Sequence, residues 1–171
     1  MKTLTEHLTQ YAGYHRDHRN LWTHVVGIPL ILLSLEIGLA QWVVWAGAVG
    51  TFGDVALSAA ALVSALAATY YLRLDLRLGS VMALWLALAC LAGQAIAALP
   101  LPWWLSAIAL FLVGWAFQFL GHHYEGRKPA FLDDLVGLLI GPLFVAAELG
   151  FMLGLRQEVQ ASIVDRAGPL R

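Results

Sequence analysis

Charge is what this sequence has least of. Only 12% of its 171 residues are Asp, Glu, Lys or Arg, while 60% are hydrophobic. A soluble domain carries about 25% charged residues to coat its surface, so a water-soluble globule is excluded. The charges are missing in blocks: residues 37–53, 55–72 and 78–121 contain none. Crossing a hydrocarbon core of about 30 Å takes about 20 mainly apolar residues. The composition therefore identifies an integral membrane protein, and the last block holds two spans divided at Pro100 and Pro102.

Other absences narrow the function. The single cysteine, Cys90, lies inside an apolar run, which excludes a disulfide framework and a thiolate metal site and leaves a small buried hydrophobe. A net charge of −1 offers no basic footprint for nucleic acid. The first twenty residues are polar and mixed in charge, with no apolar segment for a signal peptidase to follow. The first apolar helix is therefore expected to direct insertion itself.

What is present reads as an all-α polytopic membrane helix bundle, a single integral membrane domain over residues 1–171. The expected order is a polar N-terminal helix near residues 4–14 within a cytoplasmic segment 1–20, then four full spans near 21–50, 55–72, 78–98 and 103–121. A polar loop at 122–134, a broken or re-entrant apolar helix at 135–155 and a tail at 156–171 follow. Lys and Arg alternate with the spans: Lys2, Arg16 and Arg19 precede the first, Arg73 and Arg77 divide the second from the third, and Arg127 and Lys128 follow the fourth. Positive residues stay on the cytoplasmic side, which places the N-terminus and these two loops inside. Arg156, Arg166 and Arg171 conflict with a fifth crossing. Gly137, Gly141, Pro142 and Glu148 instead favour irregular backbone packed inside the bundle, where it is tolerated at membrane depth.

All six histidines lie outside the central spans, at positions 7, 15, 18, 24, 122 and 123. By this topology the clusters around His15–His24 and His122–His123 share the cytoplasmic boundary and can converge. On one straight helix His15 and His24 would point in opposite directions, nine steps of about 100° apart. A bend at Asn20, taken as the N-cap of the first span, removes the conflict. His122 and Glu125 share a helix face at a spacing of three, as in metal–carboxylate bundles. Either cluster alone also fits headgroup contacts or helix-end cations. Together they form a set without cysteine that suits non-haem iron, with zinc as the other candidate. Glu36 and Glu148 are carboxylates in apolar segments and functional candidates for that reason; Glu148 suits an acceptor for a ligating histidine. Trp42, Trp45, Trp103 and Trp104 fall near the expected outer ends, as belt anchors do.

Tyr14-His15, Asn20, His24, Gly27 and Pro29, with Gly121-His122, Glu125-Gly126-Arg127, Pro129-Ala130, Pro142 and Glu148, resemble a family of small membrane proteins related to the fungal 2-hydroxy-fatty-acid dioxygenase of fatty-acid α-oxidation. The resemblance implies an Fe(II) enzyme that shortens a 2-hydroxy fatty acid by one carbon with molecular oxygen. It lies in the endoplasmic reticulum if eukaryotic and the inner membrane if bacterial. The iron ligands it implies are His15, His24 and His122, with His18 and His123 second in rank. Glu125, Glu148 and Asn20 are the accompanying catalytic candidates, and Arg16, Arg19 and Arg127 are candidates to hold the substrate carboxylate. Two other readings remain at this stage: a two-iron lipid hydroxylase or desaturase, which needs a larger histidine set, and a non-enzymatic lipid-binding or transport protein.

Overall fold

The computed structural model describes residues 2–48, 54–130 and 133–171. Seven helices and one β-hairpin follow in order: α1 Leu4–Ala12, α2 His18–Leu39, β1 Val43–Ala48, β2 Asp54–Ser58, α3 Ala59–Leu74, α4 Leu76–Ala97, α5 Trp103–Glu125, α6 Gly137–Met152 and α7 Gln157–Ala167. Three of them, α2, α4 and α5, are long and apolar enough to cross a membrane, and α6 with α7 forms a pair bent by 113° that also passes as one broken span. Leucines 84, 88, 91 and 112 are each more than half exposed, a surface suited to lipid and hostile to water.

Two expectations need correction. The first apolar stretch does not continue as helix toward residue 50: α2 stops at Leu39, and Val43–Ala48 pairs antiparallel with Asp54–Ser58. Absence of charge cannot tell helix from strand, whereas the Val-Val-Trp run favours the strand. Residues 49–53, between the strands and at the end of the expected first span, lie outside the described residues, as do 131 and 132 of the expected polar loop. The expected second span becomes the 16-residue α3, shorter than a full crossing. Four full spans are therefore not confirmed: among the described residues three helices are long and apolar enough to cross, or four if the bent α6–α7 pair counts as one span. The apolar segment at 135–155 is continuous helix through Pro142, and its break comes after Met152, where Gly154 and Arg156 both take positive φ.

The largest helix pairing among the described residues is α2 against α5, and they run antiparallel. Glycine makes it close. A Cβ on Gly114 would lie 2.9 Å from the Gly27 carbonyl oxygen, and one on Gly27 would lie 2.7 Å from that of Gly114. Backbone can therefore meet backbone, as small residues permit between membrane helices. Gly126, at φ 68°, terminates α5 by donating its N–H to the His122 carbonyl at 3.0 Å, which holds His122 in the final turn.

α6 is the most enclosed apolar helix. Phe144, Leu143, Val145 and Ala147 are all but fully buried, and the helix packs against α1, α2 and α4. Polar ties then join several of the connections to neighbouring helices. Asp75 caps α4 and accepts Arg156 at 2.8 Å, the Tyr71 hydroxyl donates to Leu139 O at 2.7 Å, and Tyr14 donates to Asp133 at 2.9 Å. Trp42, Trp45, Trp103 and Trp104 are exposed, near the opposite ends of α2 and α5.

Candidate metal centre

The link between α1 and α2 creates the site. α1 starts at a capping box between Thr3 and Glu6 and ends at Gly13, whose N–H donates to Thr9 O at 3.2 Å, and Asp17 then starts α2 by accepting from the Arg19 N–H at 2.8 Å. The chain turns at residues 13–17. Asn20, expected as the N-cap, sits instead inside the first turn of α2, because Asp17 offers the same capping acceptor three residues earlier. The consequence anticipated from the bend still holds: His15 in the link and His24 two turns into α2 face each other.

Glu125 fastens this link to α5. Its Oε2 accepts from the Arg16 N–H at 2.9 Å, the Asp17 N–H at 2.8 Å and Asn20 Nδ2 at 3.0 Å. Two of these donors are the backbone N–H groups immediately before α2, at the positive end of the helix dipole, where a carboxylate is favourable. Glu125 thus braces the site with its charge and is not one of the converging metal donors. Arg16 ties the other side. It donates Nε to Ala12 O and His15 O at 2.9 and 3.0 Å, Nη1 to Gly168 O at 2.8 Å, and Nη2 to Glu148 at 3.3 Å. Glu148 was expected to accept from a ligating histidine; its partner is this guanidinium, and both side chains are about 95% buried.

Three histidines converge behind these braces. His15, His24 and His122 are buried, and each can offer a ring nitrogen within 4.8 Å of the others. Their ring centroids form a nearly equilateral triangle of 4.6, 5.0 and 5.0 Å. His15 Nδ1 lies 2.9 Å from Tyr11 O and His24 Nδ1 lies 2.9 Å from Asn20 O. A carbonyl oxygen only accepts, so both Nδ1 atoms carry their proton. In the neutral rings both Nε2 atoms are then bare, and they stand 3.2 Å apart.

Two lone pairs facing at that distance repel unless a cation lies within reach of both. A proton serves poorly: burial foremost, then the neighbouring His24, hold His15 well below the usual histidine range. A metal ion serves well, since nitrogen ligands at about 2.0–2.1 Å from one ion fall at such separations. His122 Nδ1 adds a buried nitrogen with no hydrogen-bond partner among the described residues. Tyr11, stacked on His15 at 4.1 Å and 3°, and Phe144, 5.7 Å from it, close the apolar side.

An apolar cleft of about 290 Å³ leads away from the triad between α2, α5 and α6. His24 and His122 stand at its head, with Gln118 next, and Ile28, Ile31, Leu35, Phe111 and Trp115 are among its walls. A larger apolar cleft of about 480 Å³ lies between α2, α4 and α6, but no histidine lines it.

The remaining candidates lie outside the triad. His18 and His123 are exposed, and neither joins the converging set. Arg19 pairs with Asp17 at 2.8 Å and stacks over Tyr124 at 4.7 Å. Arg127 donates to Gly13 O and is exposed. Glu36 accepts from Ser64 at 2.5 Å, far from the cluster in sequence and on α2. Tyr11 and Gln118 were missed. Gln118 had a signal: it stands four residues before His122 on α5, the spacing that puts side chains on one helix face.

Comparison with known proteins identifies the family. A family model described as "Mpo1-like: 2-hydroxy-palmitic acid dioxygenase Mpo1-like" matches residues 1–153. The 2-hydroxy-palmitic acid dioxygenase MPO1 of Saccharomyces cerevisiae is 30% identical over 165 residues, covering 94% of this chain and 87% of the yeast protein. No solved structure matches.

Proposed function

The chain belongs to the Mpo1-like family, and from that premise we propose that it is an Fe(II)-dependent dioxygenase that shortens 2-hydroxy fatty acids by one carbon with molecular oxygen. The observation that carries the reading is the three-histidine cluster at the head of an apolar cleft. A metal donor set and a place for an acyl chain meet there.

His15, His24 and His122 would hold the iron. Held by these three residues, iron would supply the oxygen chemistry and would attract the substrate's 2-hydroxyl and carboxylate oxygens. The chain's own residues do the positioning. Nδ1–H bonds to Tyr11 O and Asn20 O fix which nitrogen of His15 and His24 faces inward, as ligand histidines require. Glu125 and Arg16 hold the His15 link against α5 and α6. The cleft walls run from His24 to Leu35 on α2 and from His122 to Phe111 on α5, about 16 Å at helical rise. That length lets an alkyl chain lie among apolar side chains while its head meets the metal. Arg19 and Arg127, exposed at the polar end, are the cations placed to draw a carboxylate to the mouth.

A single metal is favoured over a two-iron centre because all six histidines are described and only three converge. The reading places the N-terminus and the site on the cytoplasmic side, with α3 and the hairpin completing a fourth crossing. Labelling of cysteines introduced at Arg77 and Lys128 should give the same sidedness.

The test is elemental analysis of protein purified without oxygen, followed by oxygen uptake. About one iron per chain is expected, with uptake on a long-chain 2-hydroxy acid, much slower uptake on the unsubstituted acid, and loss of both metal and turnover in His122→Ala. Equal turnover of the two acids, or full activity in His122→Ala, would end the proposal.

A further inference from the structure

Among the described residues, Gln118 is the one amide side chain lining the apolar cleft. It stands on α5 one turn before His122, and both line the cleft together with His24. The residue is only 7% exposed, and its Nε2 has no hydrogen-bond partner among the described residues. α2 is hollowed to admit it: a Cβ on Gly27 would collide with Nε2. An amide buried without a partner is unfavourable, and far from water a Met or Leu would fill the same space at lower cost. Buried polar groups left unpaired in a free site are commonly those that a ligand completes.

We infer that the Gln118 amide hydrogen-bonds the 2-hydroxyl of the substrate, and that this contact distinguishes a 2-hydroxylated chain from an unsubstituted one. The inference rests on the dioxygenase reading, since it takes the acid's head to lie at the triad. Two features favour the hydroxyl over the carboxylate. Gln118 lies on the acyl side of His122, toward Trp115 and Phe111, so a chain entering the cleft head-first to the metal passes its second carbon beside this amide. An amide both donates and accepts, which matches a hydroxyl, whereas a carboxylate only accepts.

The experiment compares binding of 2-hydroxypalmitic and palmitic acids to the metal-loaded wild type, Gln118→Met and Gln118→Leu, alongside metal content and thermal stability without ligand. The wild type should prefer the hydroxylated acid. The variants should bind it about ten-fold more weakly, bind palmitic acid unchanged, keep their metal, and melt at a higher temperature because an unpaired buried amide is gone. A structural glutamine would behave oppositely, with lower stability and equal weakening for both acids. That result, an unchanged preference in the variants, or loss of metal from them, would overturn the role of Gln118 while leaving the dioxygenase reading intact. A wild type without preference for the hydroxylated acid would overturn both.

Discussion

Replacing Arg16 with Met should destabilise the fold severely, because the buried Arg16 side chain ties four segments at once. Its guanidinium meets Glu148 at 3.3 Å, with 6% and 5% of the two side chains exposed. Removing one partner of a buried ion pair costs about 3–5 kcal/mol, chiefly by stranding the other charge. Its bonds to Ala12 O, His15 O and Gly168 O each add about 1 kcal/mol. Against a total stability of about 5–15 kcal/mol, such a loss is severe. Glu148→Met alone should also destabilise, by stranding the arginine. The double variant should recover much of the loss, giving a coupling on the order of 2–3 kcal/mol. Denaturation in mixed micelles followed by tryptophan fluorescence would measure the cycle. Independent, additive effects would refute the reasoning that one buried pair, rather than two separate packing contacts, holds the His15 link.

Gly121→Ala should loosen the metal centre without touching a ligand. Its Cβ would collide with Thr23 Oγ1 and Asn20 Oδ1 and lie 3.1 Å from His24 Nδ1; overpacking of this kind costs about 1–3 kcal/mol, and metal content at equal protein should fall with the melting temperature. Asp75→Asn should flatten the acid limb of stability. Burial pushes the Asp75 carboxyl up, but the Leu78 N–H and Arg156 outweigh it and leave it lowered. Its contribution is therefore complete above the usual carboxylate range near about 4 and lost as pH falls through the lower folded value. A variant that keeps the wild-type acid transition would contradict this.

The membrane class was legible in the sequence because it depends on composition alone: long charge-free blocks have one stable environment. The ligand candidates were legible for a related reason. Histidines excluded from every central apolar block, at two places sharing one predicted side, have few positions to occupy other than a common boundary. What composition could not decide was where apolar chain is strand and where helix, since both tolerate Val, Trp and Gly; the Val43–Ala48 pairing with Asp54–Ser58 emerges only in three dimensions. The start of α2 was misplaced by three residues because Asp17 and Asn20 are both good caps and only the path of the link chooses between them. The roles of the carboxylates belong to tertiary structure most of all. Glu125 meets backbone donors 108 and 109 residues away, and Glu148 meets Arg16 at a separation of 132. No local spacing encodes such a pairing. The Glu125 contacts arise where α2 and α5 approach backbone to backbone at Gly27 and Gly114, and the Glu148 contact where α6 packs against the α1–α2 link.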